Sequence, residues 1–275
     1  MRMPLDVSKV RYVSLIRLEG GESILNIPYA EMTVDPDLIA GFVSAVIIFA
    51  KTPIRTIRKA AYDILIEVGQ TVLVLLVVDP VADEAPYRER LIKILKLVEE
   101  EHGDKIRAFE GDIRRFREFA LAILTEFPYG EPDLNLVPAR RKEGQHIPFR
   151  VGLIDTKLEK LEGFINGKRT IGEIMNLIDM PDTEVVALVS ILQKYGWIDF
   201  KKKLVESDRL SRRDCTPQVL LKLRGEYGTP VDDILNACDG TRRIKDIMDS
   251  LQYDRNAIWF LVNKLVEVGC LAVAQ

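Results

Sequence analysis

The side chains able to do chemistry are few and scattered. Histidine occurs twice, at His102 and His146, one near a helix end and one in a proline-rich stretch. Neither has neighbours at a metal-ligand or catalytic spacing, and both read as surface residues. Cys215, Cys238 and Cys270 form no CxxC pair. That pattern signals neither a zinc site nor a disulfide framework, and suits free thiols in a reducing cytoplasm. Gly163, Gly167 and Lys168 have the look of a phosphate loop. The glycine spacing is one residue short, Arg169 stands where a magnesium-binding hydroxyl belongs, and no strand precedes them. Glu99–Glu101 and Asp232–Asp233 fit solvated helix faces better than an acid–base pair. The sequence therefore nominates no catalytic residue, no cofactor and no metal ligand, and the chain reads as a non-enzyme. An arginine supplied in trans to a nucleotide-hydrolysing partner is conceivable, but nothing selects one of the many present.

With reactive groups set aside, surfaces carry the function, and the elements that build them come next. The chain has 275 residues, 47% hydrophobic and 29% charged, with a net charge of -3. That is a globular composition of two or three domains. The acidic balance weighs against a protein devoted to gripping phosphate backbones. No signal-like apolar region opens the chain, and the longest apolar runs are short of the roughly 20 residues that span a bilayer. A soluble protein, at most peripheral to a membrane, is expected.

Residues 10–18 and 22–28 are rich in β-branched residues, with Gly20 and Gly21 between them; this predicts a β-hairpin. Asp35, Pro36 and Asp37 signal a helix start. The helix predicted over 36–50 is apolar nearly all round, with Leu38, Ile39, Phe42, Val43 and Val46 among its residues, so it must be covered on more than one side. Strands are predicted at 54–60, 62–68 and 71–78, the last continuously apolar like a central strand covered on both faces. Helices follow at about 84–102 and 112–127. Residues 128–150, with four prolines and a basic cluster, read as a linker.

The C-terminal half repeats itself with an offset of 73, since Gly240 follows Gly167 by 240 − 167 = 73. At that offset Arg169 matches Arg242, Ile171 matches Ile244, Leu192 matches Leu265 and Gly196 matches Gly269. Each copy reads as helix, Asn/Asp-Gly loop, short helix, longer helix, glycine and strand. The longer helices are predicted at 182–194 and 254–268.

The paired glycines, the run of residues 35–50, the strand ending in Asp79 and the two following helices together resemble the longin and roadblock group of domains. The repeat, with Gly-x-Arg-x-Ile opening each copy, resembles a duplicated winged-helix domain. These resemblances imply an α+β fold: a five-stranded antiparallel sheet with helices on both faces, then two winged-helix modules. The expected division is 1–130 for the longin-like domain, 131–150 for a linker, and 151–205 and 206–275 for the two modules. The combination also resembles archaeal relatives of eukaryotic trafficking proteins.

What the resemblance implies for function is a protein-binding adaptor in membrane trafficking or small-GTPase regulation. Its partners would be a small GTPase, another longin- or roadblock-like protein, or a second copy of itself. Phe42 and Val46 on the apolar helix, and Arg55, Ile57 and Arg58 on an edge strand open to strand addition, are the expected protein-binding residues. The alternative is a transcription regulator whose winged helices read DNA. Lys201, Lys202, Lys203, Arg212, Arg213, Arg242, Arg243 and Arg255 would then touch nucleic acid, or else anionic lipid. Against it, the exposed set expected on the first long helix (Asp182, Thr183, Glu184, Ser190, Gln193 and Lys194) opens with acids.

Overall fold

A computed structural model describes residues 5–30, 38–39, 41–43, 45–46, 54–109 and 111–274. The helix-start signal at residues 35–37 lies outside them. The chain forms two compact units, residues 1–201 and 202–275.

The first unit opens with β1 (Val10–Arg17) and β2 (Ser23–Pro28), joined through a turn in which Gly21 has φ 74°. That left-handed conformation suits a residue without a Cβ, which is why the paired glycines mark the hairpin. Residues 38–39, 41–43 and 45–46 are helical (α1). β3 (Thr56–Arg58), β4 (Asp63–Val68) and β5 (Val72–Val78) complete a five-stranded antiparallel sheet of order β2-β1-β5-β4-β3. β5 is central and buried throughout. Its alternate residues serve different layers: Val72, Val74 and Leu76 face one core, and Leu73, Leu75 and Val77 face the other. A continuous apolar run is the physical consequence of burial on both faces. Ile39 and Val43 of α1 pack in the second core.

The first core continues through α2 (Ala85–Arg107) and α3 (Ala120–Glu126). The helix expected over 112–127 is split. Ile113–Phe119 is a 3₁₀ turn that buries Phe116 and Phe119, residues three apart that stack on one side of a three-residue helical period. The same core reaches α4 (Gly152–Phe164), α5 (Ile171–Met175) and α6 (Asp182–Lys194).

Residues expected as a linker are folded into this unit. β6 (Leu136–Arg140) pairs with β7 (Ile198–Lys202), and Val137, Ile147 and Phe149 are buried. Gly144 lies against the Trp197 ring, where a Cβ would come within 2.6 Å of ring carbon, and the Trp197 indole donates to the Gln145 carbonyl at 2.9 Å.

The second unit contains β8 (Arg209–Arg212), α7 (Pro217–Tyr227), α8 (Pro230–Ala237), β9 (Asp239–Arg243), α9 (Ile244–Ser250), α10 (Arg255–Glu267) and β10 (Leu271–Val273). Its sheet order is β10-β8-β9. The 73-residue offset holds for the opening strand, the short helix, the long helix and the closing strand, while α7 and β9 have no counterpart at it. α6 starts at 182 and α10 at 255 = 182 + 73; α5 starts at 171 and α9 at 244 = 171 + 73; β6 starts at 136 and β8 at 209 = 136 + 73. Gly167, Gly196, Gly240 and Gly269 all have positive φ, so the repeated glycines fix the same turns in both copies. Each copy thus opens with a strand, β6 or β8, that pairs with the strand closing it.

The expected free thiols at Cys215 and Cys270 are instead joined in a disulfide. The pairing of β8 with β10 explains this. Arg212 lies opposite Leu271, and the Arg213 amide donates to the Cys270 carbonyl at 2.9 Å, so Cys215 arrives 4.9 Å from Cys270, Cα to Cα. Sequence spacing carried no trace of that. Cys238 remains a buried free thiol, its pKa pushed up to about 11 by burial. Among the described residues no helix is long and apolar enough to cross a membrane.

Candidate interaction surfaces

On α1 the side chains sort cleanly. Ile39 and Val43 point into the sheet, while Leu38 is 68% and Phe42 51% exposed. Gly41 and Ala45 are exposed as well, and Val46 is half-buried. Positions 38, 41, 42 and 45 follow the helical spacing of a single face. α1 therefore carries an apolar stripe on its outer side, with the Lys59 ammonium 6.0 Å from the centre of the Phe42 ring. Sequence reasoning picked Phe42 and missed Leu38, although the four-residue spacing was there to see.

β3 is an edge strand of three residues. Ile57 faces the second core. Arg55 donates to both carboxylate oxygens of Glu67, at 2.8 and 2.9 Å, and Arg58 donates to Glu84 at 3.1 Å. Arg88 of α2 joins the same cluster, donating to Glu67 at 2.7 Å, Glu84 at 2.9 Å and the Arg55 carbonyl at 2.9 Å. Burial pushes the Glu84 carboxyl up, but its bonds from Arg88, Thr56 and Arg58 outweigh that and hold it below the usual range. These arginines lock the sheet edge to α2.

The basic residues considered for nucleic acid fall in three settings. Lys201 and Lys202 end β7, and Lys202 is bonded to Asp208 at 2.9 Å; Lys203 follows and is exposed. Arg255 is held by Glu206 at 2.9 Å and Asp249 at 2.8 Å. Arg242 donates to the Ala237 carbonyl. Arg243 sits directly opposite Arg209 in the β8–β9 ladder, a like-charge pair that costs stability unless an anion relieves it. Among the described residues no carboxylate lies within ion-pair distance of Arg209, Arg212, Arg213 or Arg243.

Of the set expected to be exposed on α6, Asp182, Thr183, Gln193 and Lys194 are exposed, whereas Glu184 is half-buried and Ser190 is buried. Val185 and every residue from Ala187 to Leu192 are buried. Ser190 is 1% exposed, its hydroxyl donating to the Ala187 carbonyl and accepting from the Tyr129 amide. Glu184 is bonded to Lys157. α6 packs against α3 and α4, so its middle turns are covered by protein and what it leaves open is the acidic leading turn and the exposed Gln193 and Lys194 at its end.

His102 is likewise not a surface histidine. Its ring stacks on Phe119 with centres 3.9 Å apart, and its Nδ1 is buried with no hydrogen-bond partner. It lines a recess of about 470 Å³ with Lys93, Leu97, Glu118 and Leu153. Burial, reinforced by Lys105, lowers its pKa below the ordinary 6.5, against the pull of Glu118 and Glu101. The unfolded chain then takes the proton more readily. The stability tied to this group is complete above 6.5 and is lost as pH falls through that value toward the lowered one. Between pH 7.5 and 5.5 the unfolding midpoint of the wild type is expected to fall more steeply than that of His102→Gln; parallel slopes would count against this burial. His146, by contrast, is exposed.

No known family model matches the chain, and no curated protein matches it. Among the described residues no group of three histidines, cysteines or carboxylates is placed to hold a metal ion.

Proposed function

We propose that the chain is a non-enzymatic adaptor that binds other proteins, of the kind used in membrane trafficking or small-GTPase regulation. In this reading the sheet and α1 form a longin-like docking or dimerisation platform, and the two repeat copies are winged-helix-like interaction modules. The observation that carries it is the outer stripe of α1. Leu38 and Phe42 are large, apolar and more than half exposed, at a spacing that presents them together to a partner. The five-stranded order supports the longin likeness, and the matching element starts support the duplication.

The test is Leu38→Lys combined with Phe42→Lys. Both side chains are exposed, so the fold is expected to survive, as circular dichroism would check. Co-purifying partners, or self-association measured by analytical ultracentrifugation, are expected to fall at least tenfold. Unchanged partners and unchanged association would remove α1 from the docking surface and the reading with it.

A second reading, contact with nucleic acid, is favoured by the opposed Arg209 and Arg243 and the uncompensated Arg212 and Arg213 beside them. It is opposed by the acids at the leading turn of α6 and by the two carboxylates that hold Arg255. A gel shift across salt concentrations separates the two, because phosphate contacts give binding that falls steeply with salt.

A further inference from the structure

The second unit has a recess of about 310 Å³ half of whose lining residues carry rings: Tyr227 at the end of α7, Pro230 at the start of α8, Tyr253 ahead of α10 and Phe260 on α10. Tyr227 and Phe260 meet edge to face, with centres 5.9 Å apart. Phe260 is 54% and Tyr253 38% exposed, so the rings are open to a ligand.

One carboxylate, Asp254, lines this recess, and a second, Asp233, adjoins it through the Tyr253 hydroxyl; each stands at a helix start and, among the described residues, neither is in a salt bridge. One Asp254 oxygen, Oδ1, takes both helix-capping amides, from Asn256 at 2.9 Å and Ala257 at 3.0 Å. Asp233 accepts the Tyr253 hydroxyl through Oδ2 at 2.6 Å. Among the described residues no cation lies within ion-pair distance of either aspartate. Cations on the same helices are engaged elsewhere: Lys264 of α10 is bonded to Glu267 at 3.0 Å, and Arg224 of α7 to Asp232 at 2.7 Å.

Aromatic faces carry negative quadrupole charge and attract cations. Rings combined with carboxylates that have no salt-bridge partner select a ligand that is flat or apolar on one side, positively charged, and able to donate hydrogen bonds. A guanidinium meets all three demands: it is planar, weakly hydrated, stacks on rings and donates in a fork to carboxylates. We propose that this recess receives an arginine side chain from a partner polypeptide, its guanidinium stacked on the aromatic walls and bonded to Asp254 and Asp233. The proposal rests on the adaptor reading only in taking the cation from a protein. The site is distinct from the α1 stripe, so each can fail without the other.

The test titrates the full chain with the peptide acetyl-Gly-Arg-Gly-Arg-Gly-amide and with its citrulline counterpart, which keeps the shape and loses the charge. Amide and aromatic NMR signals are followed. The arginine peptide is expected to move the signals of Tyr227, Tyr253, Ala257 and Phe260, and the citrulline peptide to bind at least tenfold more weakly. Phe260→Leu, and separately Asp233→Asn with Asp254→Asn, should each weaken binding at least fivefold. Asparagine is itself a good helix N-cap, so the paired variant removes charge while keeping the start of α10. Equal binding of the two peptides, shifts centred elsewhere, or no shifts at all would each overturn the proposal.

Discussion

Reduction of the Cys215–Cys270 disulfide is expected to destabilise the second unit by about 4 kcal/mol while leaving the first untouched. The bond joins residues 55 positions apart. Closing a loop of that length removes, on a chain-entropy account, about 4 kcal/mol worth of freedom from the unfolded chain. The unit is small, its buried core running only from Leu204 to Leu271, so the cross-link is a large part of what keeps it folded. The two tryptophans separate the readouts, since Trp197 belongs to the first unit and Trp259 to the second. In denaturant titrations the Trp259 transition of Trp197→Phe should move to lower concentration on adding dithiothreitol, and Cys215→Ser with Cys270→Ser should reproduce the shift without reductant. The Trp197 transition, read in Trp259→Phe, should stay put. Thiol labelling gives a second check. With the disulfide formed, Cys238 is the one free thiol, and being buried with a raised pKa it should react only after unfolding. A Trp259 transition indifferent to reductant would show that the bond contributes nothing.

How much of this architecture the sequence discloses depends on whether a feature is local. The hairpin was legible because glycine alone is at ease at φ 74°. β5 was legible because burial on both faces writes seven apolar residues in a row. The duplication was legible because glycines and isoleucines recur at one offset. β6 was hidden by Pro138 inside it and by the prolines around it, which read as linker although the strand pairs with β7. β9 was hidden more completely: Asp239–Arg243 holds no buried residue, so it has no alternation to betray a strand. The burial of Ser190 on α6 was out of reach for another reason. The helix's apolar positions predict one covered face, while Ser190 is also covered, taking the Tyr129 amide from the segment that follows α3, a fact of tertiary assembly. The arginine recess draws on Tyr227, Tyr253 and Phe260, which no sequence window brings together. Of the expected protein-binding residues, Phe42 occupies an open surface, whereas Arg55 and Arg58 are taken up by carboxylates that only the folded sheet places beside them.

Truncating Arg88 is the second change expected to have a large effect, in the first unit. Its side chain is 17% exposed, and those of its partners Glu67 and Glu84 are 10% and 18% exposed. Removing one member of such a group leaves carboxylates out of water with too few donors, which costs about 3–5 kcal/mol when burial is complete. Arg55 still bonds Glu67 and Arg58 still reaches Glu84, so Arg88→Met is expected to cost about 2–4 kcal/mol, toward the lower part of that scale. The Trp197 transition should register it and the Trp259 transition should not. Arg88→Met with Glu67→Gln should recover part of the loss, because the stranded charge goes with the carboxylate; strict additivity of the two changes would mean that Arg88 acts through packing of its stem. The effect also has a pH signature. Glu84 is held below its ordinary 4.5, so its contribution is present above that value and disappears as pH falls through its lowered one. Below that point Arg88→Met and the wild type should converge in stability, and a gap that persisted there would point away from charge.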